Sequence, residues 1–163
     1  MAGNPTFDVI DTYRTFLQTL MPIAPQLAAG QVSTVPVFYA HPGDRYVGNA
    51  LVWFDDIEDV NEVHSMRANV RRRVVTVDFK IIIGVMLTGG SFDGALQRQA
   101  DEFVNSIRKI IDLDIADDEH LHRADVVDWA VLRGTGTVRR GTTADGVGTQ
   151  LAMRVAFQSR YID

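Results

Sequence analysis

The chain has 163 residues, 46% of them hydrophobic and 23% charged, with no cysteine and a formal net charge of -5. That length fits one domain, and a domain of this size buries roughly 70% of the surface its unfolded chain exposes. The composition excludes a disordered chain, and the missing cysteine excludes a disulfide framework, a thiolate nucleophile and a cysteine-ligated zinc or iron–sulfur site.

Thr6–Met21 reads as a helix, with Phe7, Ile10, Tyr13, Leu17, Leu20 and Met21 at three- and four-residue spacing. Thr6 is the expected cap, Asp8 suits the positive end of the helix dipole, and Pro22 and Pro25 stop the helix. Residues 22–34 form a connector. Two strands are expected at Thr34–Tyr39 and Tyr46–Phe54, separated by the turn His41-Pro42-Gly43-Asp44. Pro36 makes the first of them short or places it at an edge. An acidic stretch, Asp55 to Glu62, then leads into a long strand, Arg73–Leu87. Its odd-numbered residues from Val75 to Val85 share one face. Thr76, Asp78 and Lys80 begin the other, which Ile82 and Met86 continue, so the strand should end buried on both sides.

Gly89-Gly90 break that strand, and Ser91 caps the clearest helix of the chain, Ser91–Asp112, with Asp93 in its first turn. Leu96, Ala100, Phe103, Val104, Ile107, Ile110 and Ile111 form its apolar stripe. Val126–Arg140 and Gly148–Tyr161 read as a closing hairpin around a polar, glycine-rich loop at 141–148. The expected fold is a single α+β domain over residues 1–163. It has a mainly antiparallel sheet, two principal helices packed on one face and a long C-terminal hairpin. No run reaches the ~18 apolar residues of a membrane helix. Met1 to Asp11 lacks the features of a signal peptide, so the chain is read as made and folded inside the cell.

Asp117-Asp118-Glu119-His120-Leu121-His122 holds five side chains able to ligate a metal. On an extended segment His120 and His122 would project to one side, which suits a transition metal and gives a small metal-dependent enzyme as one alternative. His41 and His64 stand apart and no His-Glu-x-x-His occurs, so a solvated acidic loop is the simpler reading. Gly134-Thr-Gly136 precedes another strand and not a helix, which favours a bulge over a phosphate loop. Trp53 and Trp129 read as core or interface anchors. Arg67, Arg71, Arg72 and Arg73 form a basic cluster without interleaved aromatics, opposite in sign to the segment from Asp112 to Asp128. Opposed patches on one small chain suit head-to-tail self-association better than nucleic-acid binding. No catalytic constellation, cofactor motif or metal motif emerges.

The order of elements resembles the tail terminator (head–tail joining) proteins of long-tailed bacteriophages. The resemblance covers the first helix, the strand in Arg71-Arg72-Arg73-Val74-Val75, the Ser91–Asp112 helix and the hairpin that closes on Leu151 to Tyr161. It implies a non-enzymatic virion protein at the tail–neck junction, assembled in the host cytoplasm as a homo-hexameric ring. Such a ring caps the tail tube protein, meets the head–tail connector and lets DNA pass through its lumen without sequence-specific binding. Neck and head-completion proteins on the portal side share this plan and give the second alternative. No active site is transferred by the resemblance. The candidate interface residues are Arg71, Arg72, Arg73, Arg139, Arg140, Asp117, Asp118 and Glu119.

Overall fold

The computed structural model describes residues 4–46, 48–67, 70–89, 94–143 and 145–162. Helix α1 (Thr6–Leu20) is followed by β1 (Val37–Phe38), β2 (Ala50–Arg67), β3 (Val70–Thr88), α2 (Ala95–Asp117), β4 (Val127–Thr143) and β5 (Gly146–Ile162). The five strands form one sheet in the order β1-β2-β3-β5-β4, antiparallel except for the β1–β2 pair. The α+β architecture is therefore as expected, with both helices on one face and a long C-terminal hairpin.

Side-chain alternation decides which face the helices cover. Val75, Val77, Phe79, Ile81, Ile83, Val85 and Leu87 of β3 are all buried, as are Leu151, Met153, Val155 and Phe157 of β5. Against this face α1 buries Val9, Ile10, Tyr13 and Leu17, and α2 buries Ala100, Val104, Ile107, Ile111 and Ile115. Phe54, Phe79 and Phe157 cross the sheet as an edge-to-face series, with centroids 5.5 and 5.9 Å apart. Rings in this geometry add to the stabilisation that burial alone provides.

Several expected boundaries move, each for a local reason. Pro36 has no N–H to give a ladder, so the first strand shrinks to Val37–Phe38, although the Pro36 carbonyl accepts the Val52 N–H at 2.9 Å. Residues Gly43–Arg45 form a 3-10 turn, and β2 begins at Ala50 and not at Tyr46. The acidic stretch is part of β2, not a lead-in. Asp55, Asp56, Glu58 and Asp59 are exposed on a strand flank, and register shifts beyond Asp55 and Asp59 absorb the extra residues. Likewise 141–148 is mostly strand, because Val147 and Gly146 pair with Leu87 and Thr88 at the end of β3. A Cβ on Gly146 would collide with the Leu87 carbonyl oxygen, so only glycine fits there. The bulge expected at Gly134–Gly136 is present as a register shift between Arg133 and Thr137.

The helices shift too. Thr6 does not cap α1; the Asn4 side chain accepts the Thr6 N–H at 2.9 Å and its hydroxyl at 2.6 Å. The expected cap Ser91 and first-turn Asp93 lie outside the described residues. Helix α2 runs past Asp112 to Asp117 because Ile115 extends the buried stripe by one more turn.

Candidate assembly surfaces

Among the described residues the sheet face turned away from the helices carries no α-helix, and the segment from His41 to Tyr46 lies beside its Trp53 corner. Row by row across it lie Leu51, Gly84, Gln150 and Arg139, then Trp53, Ile82, Ala152 and Thr137, then Asp55, Lys80, Arg154 and Arg133. Trp53 is only 8% exposed: it lies over Gly84, where a Cβ would sit 3.1 Å from its ring, and meets His41 edge-on at 4.7 Å. Beside them is a cleft of about 430 Å³ reaching Tyr46, Met86 and Arg139. On this face Ile82 is buried and Met86 is 54% exposed, so the two-sided burial expected of β3 holds at Ile82 and not at Met86. Trp129 is half-buried, and its indole N–H donates to Gln158 Oε1 at 3.2 Å.

The basic candidates are divided among three environments. Arg72 is exposed, and the Arg71 side chain lies outside the described set. Arg73 is half-buried; it donates to the Tyr161 hydroxyl at 3.4 Å and lies over that ring, its guanidinium carbon 5.7 Å from the centroid. Arg139 and Arg140 are neighbours in β4 and so point to opposite faces. Arg139 stands on the bare face with no hydrogen bond or ion pair among the described residues. Arg140 turns to the helix side, where its Nε donates to Asp101 of α2 at 2.9 Å.

Asp101 joins two elements. Its carboxylate accepts hydrogen bonds from Thr149 Oγ1 at 2.6 Å, Gln97 Nε2 at 3.0 Å and Arg140. Partial burial pushes its pKa up, but the bonds from Thr149, Gln97 and Arg140 outweigh that and hold it below the usual carboxylate range. The stabilisation is therefore complete above the ordinary value near 3.8 and is lost as pH falls through the folded-state value. Asp101→Asn is expected to lower stability by about 1 kcal/mol at neutral pH. It should also flatten the loss below pH 4, and urea titrations at several pH values check both. An acid limb as steep as in the parent would refute the assignment.

The acidic candidates sit at the far end of α2, sixteen residues and about 24 Å beyond Asp101. Asp117 and Glu119 are exposed, whereas Asp118 is the C-cap and half-buried. Its carboxylate accepts the His120 and His122 backbone N–H groups at 2.9 and 3.2 Å. The segment is not extended: Leu121 and His122 have φ of +49° and +62°, so the premise that both rings project to one side fails. His122 is clamped, with Nε2 3.0 Å from Asp114 and Nδ1 3.0 Å from Asp118, and it stacks on Phe16 of α1 at 3.6 Å. Among the described residues no three histidine or carboxylate side chains converge into a metal-sized group. Nearby, the Tyr13 hydroxyl is buried and faces Asp114 without reaching hydrogen-bond geometry. Burial first, then the Asp114 charge, push its ionisation well above the ordinary tyrosine range.

The arginines and acids singled out from sequence thus form no single cluster. Residues not singled out form a more coherent set: Asp55 and Glu58 on β2 and Arg133 on β4, all exposed. Charge counted strand by strand would have found them, since β2 holds Asp55, Asp56, Glu58, Asp59 and Glu62 while β4 holds Arg133, Arg139 and Arg140. No known protein-family model matches the chain, and no curated protein matches it in sequence. No helix among the described residues is long and apolar enough to cross a membrane.

Proposed function

We propose that this chain is a structural virion subunit of the kind it resembles, a phage tail terminator. Copies would form a homo-hexameric ring that caps the tail tube and joins it to the head connector. The observation that carries this reading is the exposed sheet: among the described residues one face has no α-helix over it, and β4 and the part of β2 beyond Phe54 keep a free edge. Soluble monomers normally cover, shorten or charge such edges, because bare strands pair with other chains. Here both edges are long and carry charge of opposite sign, acids on β2 and arginines on β4, so each disfavours a copy of itself and fits the other.

Charge supports the same reading. Ring interfaces are heterologous and need two unlike surfaces on each copy, and the outer strands differ in sign. A net charge of -5 suits a lumen through which DNA slides without tight binding. The clamped geometry of His122 speaks against the metal-enzyme alternative, because both ring nitrogens already face carboxylates. The test is assembly: the purified protein is expected to scatter light as a ring-sized particle and to bind the ends of unterminated tail tubes. Binding to the portal-side connector alone would favour the neck or head-completion role, and a strict monomer that binds neither would refute both.

A further inference from the structure

We infer that the ring closes by edge-to-edge pairing of unlike strands: the acidic flank of β2 in one copy lies antiparallel to the basic flank of β4 in the next. This rests on the assembly reading above and adds which surfaces meet.

Three independent features point to these two edges. The first is availability. Strand β1 pairs only with Val52 and Trp53, so β2 has no outer strand from Asp55 onward among the described residues, and β4 closes the other side of the sheet. The second is direction. Strand β2 is antiparallel to β3, β3 to β5, and β5 to β4, so β2 and β4 run in opposite senses. Setting two sheets side by side in one orientation therefore continues the antiparallel alternation without turning either copy over. The third is chemistry. Asp55 and Glu58 flank one edge, Arg133 and Arg139 the other. Among the described residues, the large apolar side chains exposed on strands all lie on these two except Met86: Val60 and Val63, each 54% exposed, and Val131 and Val138, 45% and 43% exposed.

Register supplies a further constraint. A closed ring repeats by rotation with no translation along its axis, whereas a filament climbs. With the strands running along that axis, residues at one level of the sheet meet residues at the same level in the neighbour. Asp55 pairs across to Lys80, Lys80 to Arg154, and Arg154 to Arg133. The first acidic residue of β2 beyond β1 thus shares its level with Arg133 of β4, and contact without rise brings opposite charges together. Two copies of β2 side by side, or two of β4, would instead oppose like charges, which disfavours an isologous dimer through either edge.

The test uses two charge-reversed full-length chains, Arg133→Glu/Arg139→Glu and Asp55→Arg/Glu58→Arg, with light scattering as the readout. At the substituted positions each variant alone sets like charges against each other across the junction and is expected to be monomeric while the parent assembles. An equimolar mixture has complementary edges at every junction and is expected to recover particles of the parental mass. Circular dichroism establishes that each variant is folded. Val63→Lys, an uncrowded change on the β2 edge, is expected to block assembly without touching any ion pair. Parental-size particles from either reversed variant alone, or a folded mixture that stays monomeric, would overturn the edge pairing and leave the ring reading standing. A parent chain that is itself monomeric would overturn both.

Discussion

Phe79→Ala is expected to reduce the unfolding free energy by about 3–5 kcal/mol, the largest loss for a single side chain in this fold. Phe79 is 2% exposed at the middle of β3, between Phe54 of β2 and Phe157 of β5. Its removal breaks the ring series at the centre and leaves a cavity that three hydrogen-bonded strands cannot collapse to fill. Ile or Leu at the same position refills most of the volume and should recover about half of the loss. Urea denaturation monitored by tryptophan fluorescence gives the number. A change below about 1 kcal/mol would show that the core is not organised around this residue. Because β3 and β5 hold the outer strands β2 and β4 in place, assembly should fall in parallel with stability in this variant. In the charge-reversed variants assembly should fall with a much smaller loss of stability, since the one ion pair they remove among the described residues, Arg133 to Asp78 at 3.8 Å, is half-exposed.

The second large effect is expected at His122. The imidazole fastens three pieces of chain: Asp114 in the last turns of α2, the Asp118 cap, and Phe16 on α1. A protonated ring donates to both carboxylates and a neutral ring to one. His122→Ala removes these bonds and leaves the Asp114 carboxylate, only 10% exposed, facing the Tyr13 hydroxyl with its main partner gone. The expected loss is about 2–3 kcal/mol, set by the uncompensated carboxylate more than by the lost ring contact. Adding Asp114→Asn to His122→Ala should recover about 1 kcal/mol, because the stranded charge is then absent. Chemical denaturation of the four chains of this cycle measures the coupling. Strict additivity would mean that His122 acts only through its stacking on Phe16.

Much of this architecture is legible in the residue order, for a physical reason. Period-two alternation from Val75 to Val85 and the stripe from Ala100 to Ile111 are local consequences of backbone geometry, so the long strand and the long helix are recognisable without neighbours. Glycine chemistry is equally local, and the bulge at Gly134–Gly136 follows from it. Where the strand boundaries depart from the reading, the deciding contact is pairing with another strand; at the helix ends it is local capping. Asp55 to Glu62 has the composition of a loop, but it is strand because the first half of β3 pairs with it. Residues 141–148 have a loop's composition too, and Leu87 and Thr88 hold them in the sheet. The acidic run at 117–122 suggests ligands by composition, while the positive φ values of Leu121 and His122 turn it into a helix cap.

The figures that describe the whole chain show the same division. Length and apolar fraction fit a packed domain and the absence of cysteine excludes thiol chemistry, because these are sums over residues and do not depend on arrangement. The net charge of -5 is also such a sum, and it conceals what matters for assembly. Only the strand order β1-β2-β3-β5-β4 places the acidic β2 and the basic β4 at opposite sides of one sheet. Only alternation within β4 sends Arg140 inward to Asp101 and Arg139 outward to the bare face. A sequence records which charges a chain carries; the side of the sheet on which each stands is decided by pairing between strands far apart in the chain.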